Sequence, residues 1–230
     1  MGHAFMQVVV IASRKGGAGK TTLAAHLAVE AIRSGDGPVA TIDADPMQGL
    51  TGWFDERKAD EPLCVGPDAL AKAGIKHTLA TLRQSGVALV IIDTPPAATT
   101  DVADMIGVAD LVLAPVIPSP NDLRAIGETL DLIEEQNKPL LFVINNASTN
   151  GKLTNQALTL LSQHGTVAAA DGKPVIIRTR QDFRSSMTDG RTVSELKALS
   201  KSAEEIADLW TAVKARLEKE VRRGRRSAAA

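Results

Sequence analysis

The segment VVVIASRKGGAGKTT, residues 8–22, constrains the fold more than any other part of the chain. A run of β-branched residues predicts a buried strand, and it passes directly into a glycine-rich loop that ends in Lys20 and Thr21. The usual phosphate-binding loop reads G-x-x-x-x-G-K-[ST], but Arg14 stands in the place of its first glycine and Lys15 adds a second lysine. Strand, loop and following helix together predict a phosphate site.

A loop of this type binds phosphate mainly through its backbone. Its glycines let the chain bend so that several N–H groups point inward, toward the N-terminus of the helix. Lys20 supplies the countercharge for the β- and γ-phosphates, and the Thr21 hydroxyl is suited to ligate Mg²⁺. The predicted nucleotide-binding residues here are Lys15, Gly16, Gly17, Ala18, Gly19, Lys20, Thr21 and Thr22.

Short apolar runs alternate with longer helical patterns along the rest of the chain. Most of the runs are apolar on both faces, which is typical of parallel strands covered by helices on both sides. The alternation predicts one doubly wound α/β domain, residues 1–230, with a mostly parallel sheet and ligands at the carboxyl ends of the strands. The predicted strands are Val8–Ala12, Val39–Asp43, Ala88–Asp93, Leu111–Pro115, Leu140–Asn145 and Val175–Arg178. The predicted helices are Thr21–Ser34, Asp68–Ser85, Asp122–Asn137, Thr154–His164 and Ser194–Arg222.

The ends and the bulk composition narrow the class of protein. Residues 1–5 look like an addition before a native start at Met6, residues 224–230 are expected to fray, and too few residues precede the first strand for a helix-turn-helix domain. One cysteine, Cys64, excludes a disulfide framework and a cysteine-rich metal site. The sequence shows no signal peptide and no run that approaches a membrane span, so a cytoplasmic protein is expected.

Two further segments place carboxylates at predicted strand ends. TIDADP, residues 41–46, carries Asp43 and Asp45, which point to the same side when they lie two residues apart on a strand. LVIIDTPP, residues 89–96, ends an apolar strand on Asp93, a pattern typical of an aspartate that holds Mg²⁺ directly or through water. Both segments are therefore expected beside the phosphate loop.

KGGAGKTT with its extra lysine, DADPMQG and VIIDTPP, in this order and spacing, resemble the ParA/MinD family of deviant Walker ATPases. PVIPSPNDL, FVINN and DGRTVSEL extend the resemblance over almost the whole chain. It implies a P-loop NTPase fold, ATP and Mg²⁺ as cofactors, and a homodimer that forms on ATP binding. Hydrolysis in such a protein is slow until a partner stimulates it.

The resemblance implies catalytic roles for three residues. Lys15 would reach across the dimer to the partner's phosphates and act as a charge clamp in trans. Lys20 would bind the phosphates of its own chain, and Asp45 would position the attacking water. Because Asp45 is present, the sequence favours turnover over the alternative of a nucleotide-dependent scaffold that does not hydrolyse ATP.

The resemblance also implies the metal and adenine contacts. Thr21 and Asp93 would belong to the Mg²⁺ shell, with Asp43 behind Asp45 supporting the metal or the loop. Asn145 or Asn146 would contact adenine, since an amide both donates and accepts. Two departures concern the switch segments: Met47 intervenes before Gln48, and Ala97 follows the two prolines where the family often has glycine.

In the DNA-binding branch of the family, ATP-bound dimers bind the nucleoid without sequence preference, and a ParB-like adaptor releases them. The chain has a net charge of −1, but residues 214–226 hold seven Lys/Arg and two Glu, and more basic residues follow the sixth predicted strand. Cations on one face suffice for salt-sensitive phosphate contacts. The candidate DNA-binding residues are Arg178, Arg180, Arg184, Lys197, Lys201, Arg222 and Arg223.

The alternative is a MinD-like ATPase that associates with the membrane. Ile206, Leu209, Trp210, Val213 and Leu217 recur at helical spacing, and a basic amphipathic helix can lie on anionic lipid. The same stripe is typical of a helix docked on an α/β core, so the sequence favours the nucleoid. The cargo stays open at this stage, with DNA and protein assemblies both compatible with the sequence.

Overall fold

The computed structural model describes residues 6–96, 99–148 and 151–228, with side chains as far as Gly224. Some predictions concern residues outside this range. These residues are 1–5, Ala97 and the last two residues of the chain. The strands are β1 (Gln7–Ile11), β2 (Val39–Asp43), β3 (Leu63–Val65), β4 (Leu89–Asp93), β5 (Leu111–Val116), β6 (Leu140–Ala147), β7 (Thr166–Val167), β8 (Ala169–Ala170), β9 (Lys173–Pro174) and β10 (Ile176–Arg178).

The helices surround the sheet in chain order. They are α1 (Lys20–Arg33), α2 (Gly49–Asp55), α3 (Pro67–Ala73), α4 (Ile75–Gln84), α5 (Thr100–Gly107), α6 (Pro120–Arg124), α7 (Ile126–Glu135), α8 (Gly151–His164), α9 (Gln181–Ser186), α10 (Val193–Leu196) and α11 (Lys201–Ala228). A 3₁₀ turn at Met187–Asp189 follows α9.

Seven strands form one sheet in the order β10-β6-β5-β1-β4-β2-β3, and β7 adds a short pairing to β6. All pairings within this sheet are parallel, while β8 and β9 form a small antiparallel pair of their own. The strand order reverses at β1, since β4 lies on one side of it and β5 on the other. In a doubly wound sheet this reversal opens a crevice at the carboxyl ends of the strands, where ligands bind. The predicted doubly wound α/β fold is therefore confirmed.

The two faces of the sheet bury separate halves of the core. Val9 and Ile11 of β1 point to the face covered by α1 and α11, whereas Val8 and Val10 point to the face covered by α4 and α5. This alternation along β1 follows from the two-residue period of a strand. It explains why the central strands carry almost no polar residue before their final aspartates.

The structure contains elements that periodicity did not predict. The elements missing from the sequence prediction are α2, α5, α9, β3, β7, β8 and β9, and three predicted helices are interrupted. Gly74, at φ 75° and ψ 155°, separates α3 from α4, a backbone conformation open mainly to glycine. A break at Ala125 separates α6 from α7, and Lys197 at φ −156° ends α10 four residues before α11 begins. The segment predicted to fray overlaps the end of α11, which continues to Ala228.

Candidate functional site

The phosphate loop follows β1 at the strand-order reversal, and α1 begins at Lys20. Gly17 and Gly19 adopt left-handed conformations at φ 77° and 87°, which few other residues tolerate. A Cβ at Gly19 would lie 2.3 Å from Nδ2 of Asn145. That same nitrogen donates a hydrogen bond of 2.7 Å to the carbonyl of Ala18. Asn145, near the end of β6, therefore supports the loop through this hydrogen bond. Only glycine fits at position 19, because a larger residue would collide with the Asn145 side chain.

Lys20, Thr21 and Asp93 meet at the start of α1. The Thr21 hydroxyl donates a hydrogen bond of 2.6 Å to Oδ2 of Asp93, while Oδ1 of Asp93 is buried without a hydrogen-bond partner. Burial raises the pKa of Asp93 to about 7, and the charge of Asp43 adds to this, whereas Thr21 and Lys20 oppose it. Burial also lowers the pKa of Lys20, against the charges of Asp93 and Asp45. Burial therefore disfavours the charged form of both side chains, while each charge favours the other.

These groups fit a magnesium ion. The unpartnered oxygen of Asp93 and the Thr21 hydroxyl are hard oxygen donors, the type that Mg²⁺ prefers. Within the described residues, no group of three or more His, Cys, Asp or Glu side chains could hold a metal. A site with so few protein ligands suits Mg²⁺, which commonly keeps several waters and shares itself with substrate phosphates.

Asp43 and Asp45 have different surroundings although they lie two residues apart. Asp43 is fully buried, and its carboxylate accepts hydrogen bonds from the backbone of Asp45 at 3.0 Å and from the backbone and hydroxyl of Thr51 at 2.8 and 3.0 Å. Asp45 is half-buried and accepts one bond from the backbone of Met47 at 3.0 Å. Asp43 thus holds the loop that presents Asp45. Its partner Thr51 is a residue that the sequence patterns did not single out.

The second lysine of the loop is paired within its own chain. Nζ of Lys15 lies 2.6 Å from Oδ2 of Asp122, on α6, and the Ser119 hydroxyl contacts the same oxygen. The Asp122 side chain is 7% exposed and that of Lys15 40%. Lys15 therefore retains a path to solvent while its charge is compensated from within the chain.

A cavity of about 460 Å³ opens beside the phosphate loop. Asn146 lines it in a left-handed conformation, at φ 52°, and the Thr179 hydroxyl donates to its side-chain oxygen at 2.7 Å. Asn145 lines the same cavity in addition to its bond to the loop, so the structure leaves both asparagines as candidates for the adenine contact. The other lining residues are Gly17, Gly19, Thr22, Leu23, Ile177, Arg178, Thr179, Arg180, Phe183, Arg184 and Met187.

Three of the candidate DNA-binding residues therefore lie at this cavity. Arg180 also pairs with Glu205 of α11, with 2.7 Å between Nη2 and Oε1, and the backbone of Arg178 donates to the same carboxylate at 3.0 Å. The hydrogen bond that Arg180 donates to Glu205 raises the pKa of Arg180, although burial opposes it. Arg180 is thus part of the cavity wall, a placement that sequence alone did not indicate.

The remaining basic candidates fall into two groups. Asp182 of α9 accepts a bond of 2.9 Å from Ser202 of α11, which brings exposed Arg184 toward the end of α11 that carries Lys201. Lys197 lies in the turn just before. The exposed pair at 222–223 is 21 residues further along α11, about 30 Å from Lys201 at the rise of an α-helix. The structure therefore links the segment of Arg184 to the start of α11, which lies near Lys197 and Lys201 in sequence, and leaves Arg222 and Arg223 apart.

The apolar stripe of α11 belongs to the core. Ile206, Leu209 and Val213 are completely buried and pack with α1 and the sheet. In the described part of the chain, no helix has the length and apolar character needed to cross a membrane. This stripe is consequently not available to lie on lipid.

The sequence model of the CobQ/CobB/MinD/ParA nucleotide binding domain matches residues 9–193, from β1 to the start of α10. The chain belongs to this family. The match includes the phosphate loop, both aspartate segments and the cavity-lining strand ends. The predicted membership in the ParA/MinD family is thus confirmed, and the chain has the fold of its ATPases.

Known proteins similar to this family member come from several branches. Maintenance of carboxysome distribution protein A of Halothiobacillus neapolitanus is 28% identical over 205 residues, 85% of this chain and 90% of that protein. Protein ParA of Rhizobium radiobacter is 36% identical over 137 residues, 59% of this chain and 60% of that protein.

Two solved structures show the same fold at lower identity. MinD of Pyrococcus horikoshii with Mg-ADP has a TM-score of 0.74 at 17% identity, covering 91% of this chain and 96% of that one. Apo McdA of Cyanothece has a TM-score of 0.69 at 20% identity, covering 90% and 99%.

Proposed function

We propose that this protein is a Mg²⁺-dependent ATPase that dimerises on ATP, binds DNA without sequence preference and positions or segregates a cargo. The observation that carries the proposal is the Thr21–Asp93 pair beside buried Lys20. One oxygen of Asp93 is buried without a hydrogen-bond partner, and burial raises the pKa of this carboxyl to about 7. A magnesium ion bound with the nucleotide would give this oxygen a cationic partner, and the nucleotide would supply phosphates for Lys20.

The residues divide the work of ATP hydrolysis. The loop N–H groups and Lys20 bind the phosphates, and Thr21 with Asp93 would hold Mg²⁺, which neutralises phosphate charge when bound. Asp45, presented by the loop that Asp43 and Thr51 fix, orients the attacking water. The adenosine part of the substrate occupies the cavity beside Asn146, a fit supported by the cavity's position next to the phosphate loop.

The dimer depends on Lys15. In the single chain its ammonium is paired with Asp122, whereas in the ATP-bound dimer it leaves this partner for the phosphates of the second copy. The transfer is chemically balanced, because a phosphate oxygen replaces a carboxylate oxygen around the same cation. Basal hydrolysis is slow in this state, and a ParB-like adaptor that carries the cargo stimulates it.

The output of the cycle is transient binding to the nucleoid of the cytoplasm. Exposed Arg184, Lys197 and Lys201 form the surface proposed to contact DNA phosphates, and a dimer doubles their number. Relatives named for carboxysome distribution and for ParA support a cargo-positioning role. The membrane alternative finds no such support, because the apolar face of α11 is buried in the core.

Phosphate release from ATP tests the enzymatic part of the proposal. We expect slow turnover that needs Mg²⁺ and is abolished in the Lys20→Ala variant. Lys219→Ala, which changes an exposed lysine of α11, is the matched control and should keep wild-type turnover. Turnover that persists in Lys20→Ala, or that ignores EDTA, would show that this loop does not carry the activity.

A further inference from the structure

A buried ion pair lies outside the nucleotide site, between the end of α2 and α10. The Arg57 side chain is 5% exposed. Its guanidinium donates two hydrogen bonds to the Glu195 carboxylate, from Nη2 to Oε1 at 2.7 Å and from Nη1 to Oε2 at 3.0 Å. Glu195 also accepts from the backbone and hydroxyl of Thr192 at 2.8 and 3.0 Å. Burial alone would raise the pKa of Glu195, but the bonds and charge of Arg57 hold it below its usual value.

Further contacts fix the same guanidinium and the helix that precedes it, α2. Arg57 donates to the carbonyls of Gly190 at 2.7 Å and Glu61 at 2.6 Å. Its Cζ lies 5.1 Å from the ring centroid of Trp53, one turn earlier on α2, and the Trp53 indole donates to the carbonyl of Arg191 at 3.1 Å. The planar guanidinium of Arg57 donates to several acceptors at once and so defines one geometry, which a lysine would not reproduce.

The backbone of α2 meets the turn before α10 without a gap. Gly190 has φ 72°, and a Cβ placed on it would lie 2.4 Å from both N and Cα of Arg57. The glycine of the segment DGRTVSEL therefore permits direct backbone contact with the end of α2. This contact gives the segment a role in the fold that its sequence resemblance did not reveal.

The N-terminal end of α2 contacts the loop that carries Asp45. Thr51 donates twice to Asp43, and the backbone of Gln48 donates to the carbonyl of Asp45 at 2.9 Å. A Cβ on Gly49 would lie 3.3 Å from Cγ2 of Thr21, so the first turn of α2 also packs on the start of α1. The N-terminal turn of α2 thus touches the loop of Asp45 and the phosphate loop together.

We infer that Arg57 and Glu195 are positioning residues for hydrolysis: by anchoring the far end of α2, they set the place of the loop that presents Asp45. This inference rests on the proposed function. α2 has only seven residues, and a helix so short is marginal on its own, so its position depends on its two anchors. Thr51 lies four residues before Asp55, the last residue of α2, which is about 6 Å along the helix, and Arg57 follows two residues after that end. A displacement at this end is therefore transmitted to Thr51 over little more than one helical turn.

The test uses Arg57→Lys, which keeps the charge but loses the planar guanidinium, and Glu195→Gln, which keeps the shape but loses the charge. We expect kcat for ATP to fall roughly ten- to a hundredfold in both, as for a misplaced catalytic group, while the Kd of a fluorescent ATP analogue changes less than about twofold. Hydrogen exchange at residues 48–56 should accelerate in both variants without nucleotide. Arg216→Lys, which alters the Arg216–Glu220 pair of α11 at 17% and 14% exposure, is the matched control and should show neither effect.

Wild-type kcat in both folded variants would overturn the inference, as would an equal fall in Arg216→Lys. Turnover by the wild-type protein separates this result from failure of the proposed function. If the wild-type protein does not hydrolyse ATP, the proposed function fails and the inference falls with it, whereas wild-type turnover with unchanged kcat and unchanged exchange in both variants overturns the inference alone.

Discussion

The ammonium of Lys15 lies 2.6 Å from a carboxylate oxygen of Asp122 in the same chain. The two residues are more than a hundred positions apart, yet the strand-order reversal brings the phosphate loop after β1 beside the segment after β5. If Lys15 serves a second copy, this internal pair competes with dimerisation. The competition links a contact within one chain to assembly of two.

The Asp122→Asn substitution should therefore strengthen the ATP-bound dimer. Removing the charge lowers the cost of releasing Lys15 in each of the two copies. At up to about 1 kcal/mol for each pair, this corresponds to a gain of up to roughly thirtyfold in dimer affinity. Sedimentation velocity with ATP measures this gain. Glu128→Gln, which removes the Arg14–Glu128 pair of the same loop, serves as the control and should leave the affinity unchanged. A weaker dimer in Asp122→Asn would place Asp122 in the dimer contact instead.

The Gly19→Ala and Gly16→Ala substitutions should differ in their effect on the stability of the unliganded protein. The Gly19→Ala side chain would meet Nδ2 of Asn145 at 2.3 Å in a left-handed backbone, whereas a Cβ at Gly16 has no protein atom within 4 Å. We expect Gly19→Ala to lose about 1–3 kcal/mol in the free energy of unfolding, from backbone strain and the displaced Asn145 side chain. Gly16→Ala should stay within about 0.5 kcal/mol of wild type. Urea unfolding without nucleotide measures both, and equal losses would refute the support of the loop by Asn145.

His26 should make the stability of the protein dependent on pH. It is fully buried between the carbonyl of Thr22 at 2.7 Å and the hydroxyl of Ser186 at 3.2 Å. Burial lowers its pKa from 6.5 to about 4, although the Thr22 carbonyl and the charge of Glu195 oppose it. Between these values the unfolded histidine binds a proton that the folded one does not. Its contribution is therefore complete above pH 6.5 and lost as the pH falls through 4.

The difference amounts to about 3 kcal/mol over that window. Urea unfolding at pH 7, 5.5 and 4, compared with His26→Gln, isolates the contribution of this one group. The wild-type protein should lose more stability than the variant as the pH falls. Parallel losses in the two proteins would mean that His26 does not titrate as its burial requires.

The proposed DNA surface predicts a difference between the two ends of α11. Lys197→Glu and Lys201→Glu should each weaken ATP-dependent DNA binding and reduce its salt dependence, because each removes a phosphate contact. Arg222→Glu, about 30 Å from Lys201, should have a smaller effect. Arg180→Glu and Arg184→Glu are poor probes, since both residues line the cavity proposed for adenosine. Equal losses from Lys201→Glu and Arg222→Glu in a filter-binding salt series would argue against one local surface.

Sequence patterns predicted the fold and the arrangement of the phosphate loop with the strand-end aspartate because those features are local. Strand, glycine loop and helix are adjacent in the chain, and an aspartate at a strand end points where the sheet puts it, as Asp93 does beside Thr21. The patterns failed where a residue's role depends on a distant partner. Thr51, the Asp122 partner of Lys15 and the Glu205 partner of Arg180 carry no periodic signal.

Short elements escaped prediction for a related reason. α2 has seven residues and no side-chain cap, too few for a helical period to be recognised. Its position comes from contacts with residues as far away as Glu195. Gly74 illustrates the converse case, because one glycine with positive φ divides a continuous helical pattern into two helices.

The most direct test of the proposed function is DNA binding by the purified protein in ATP, in ADP and without nucleotide, over a series of salt concentrations. We expect binding in ATP alone, independent of DNA sequence, weakening steeply with salt and absent in Lys20→Ala. Binding that is equal in all three nucleotide states, or absent from all of them, would contradict an ATP-switched positioning ATPase that works on DNA.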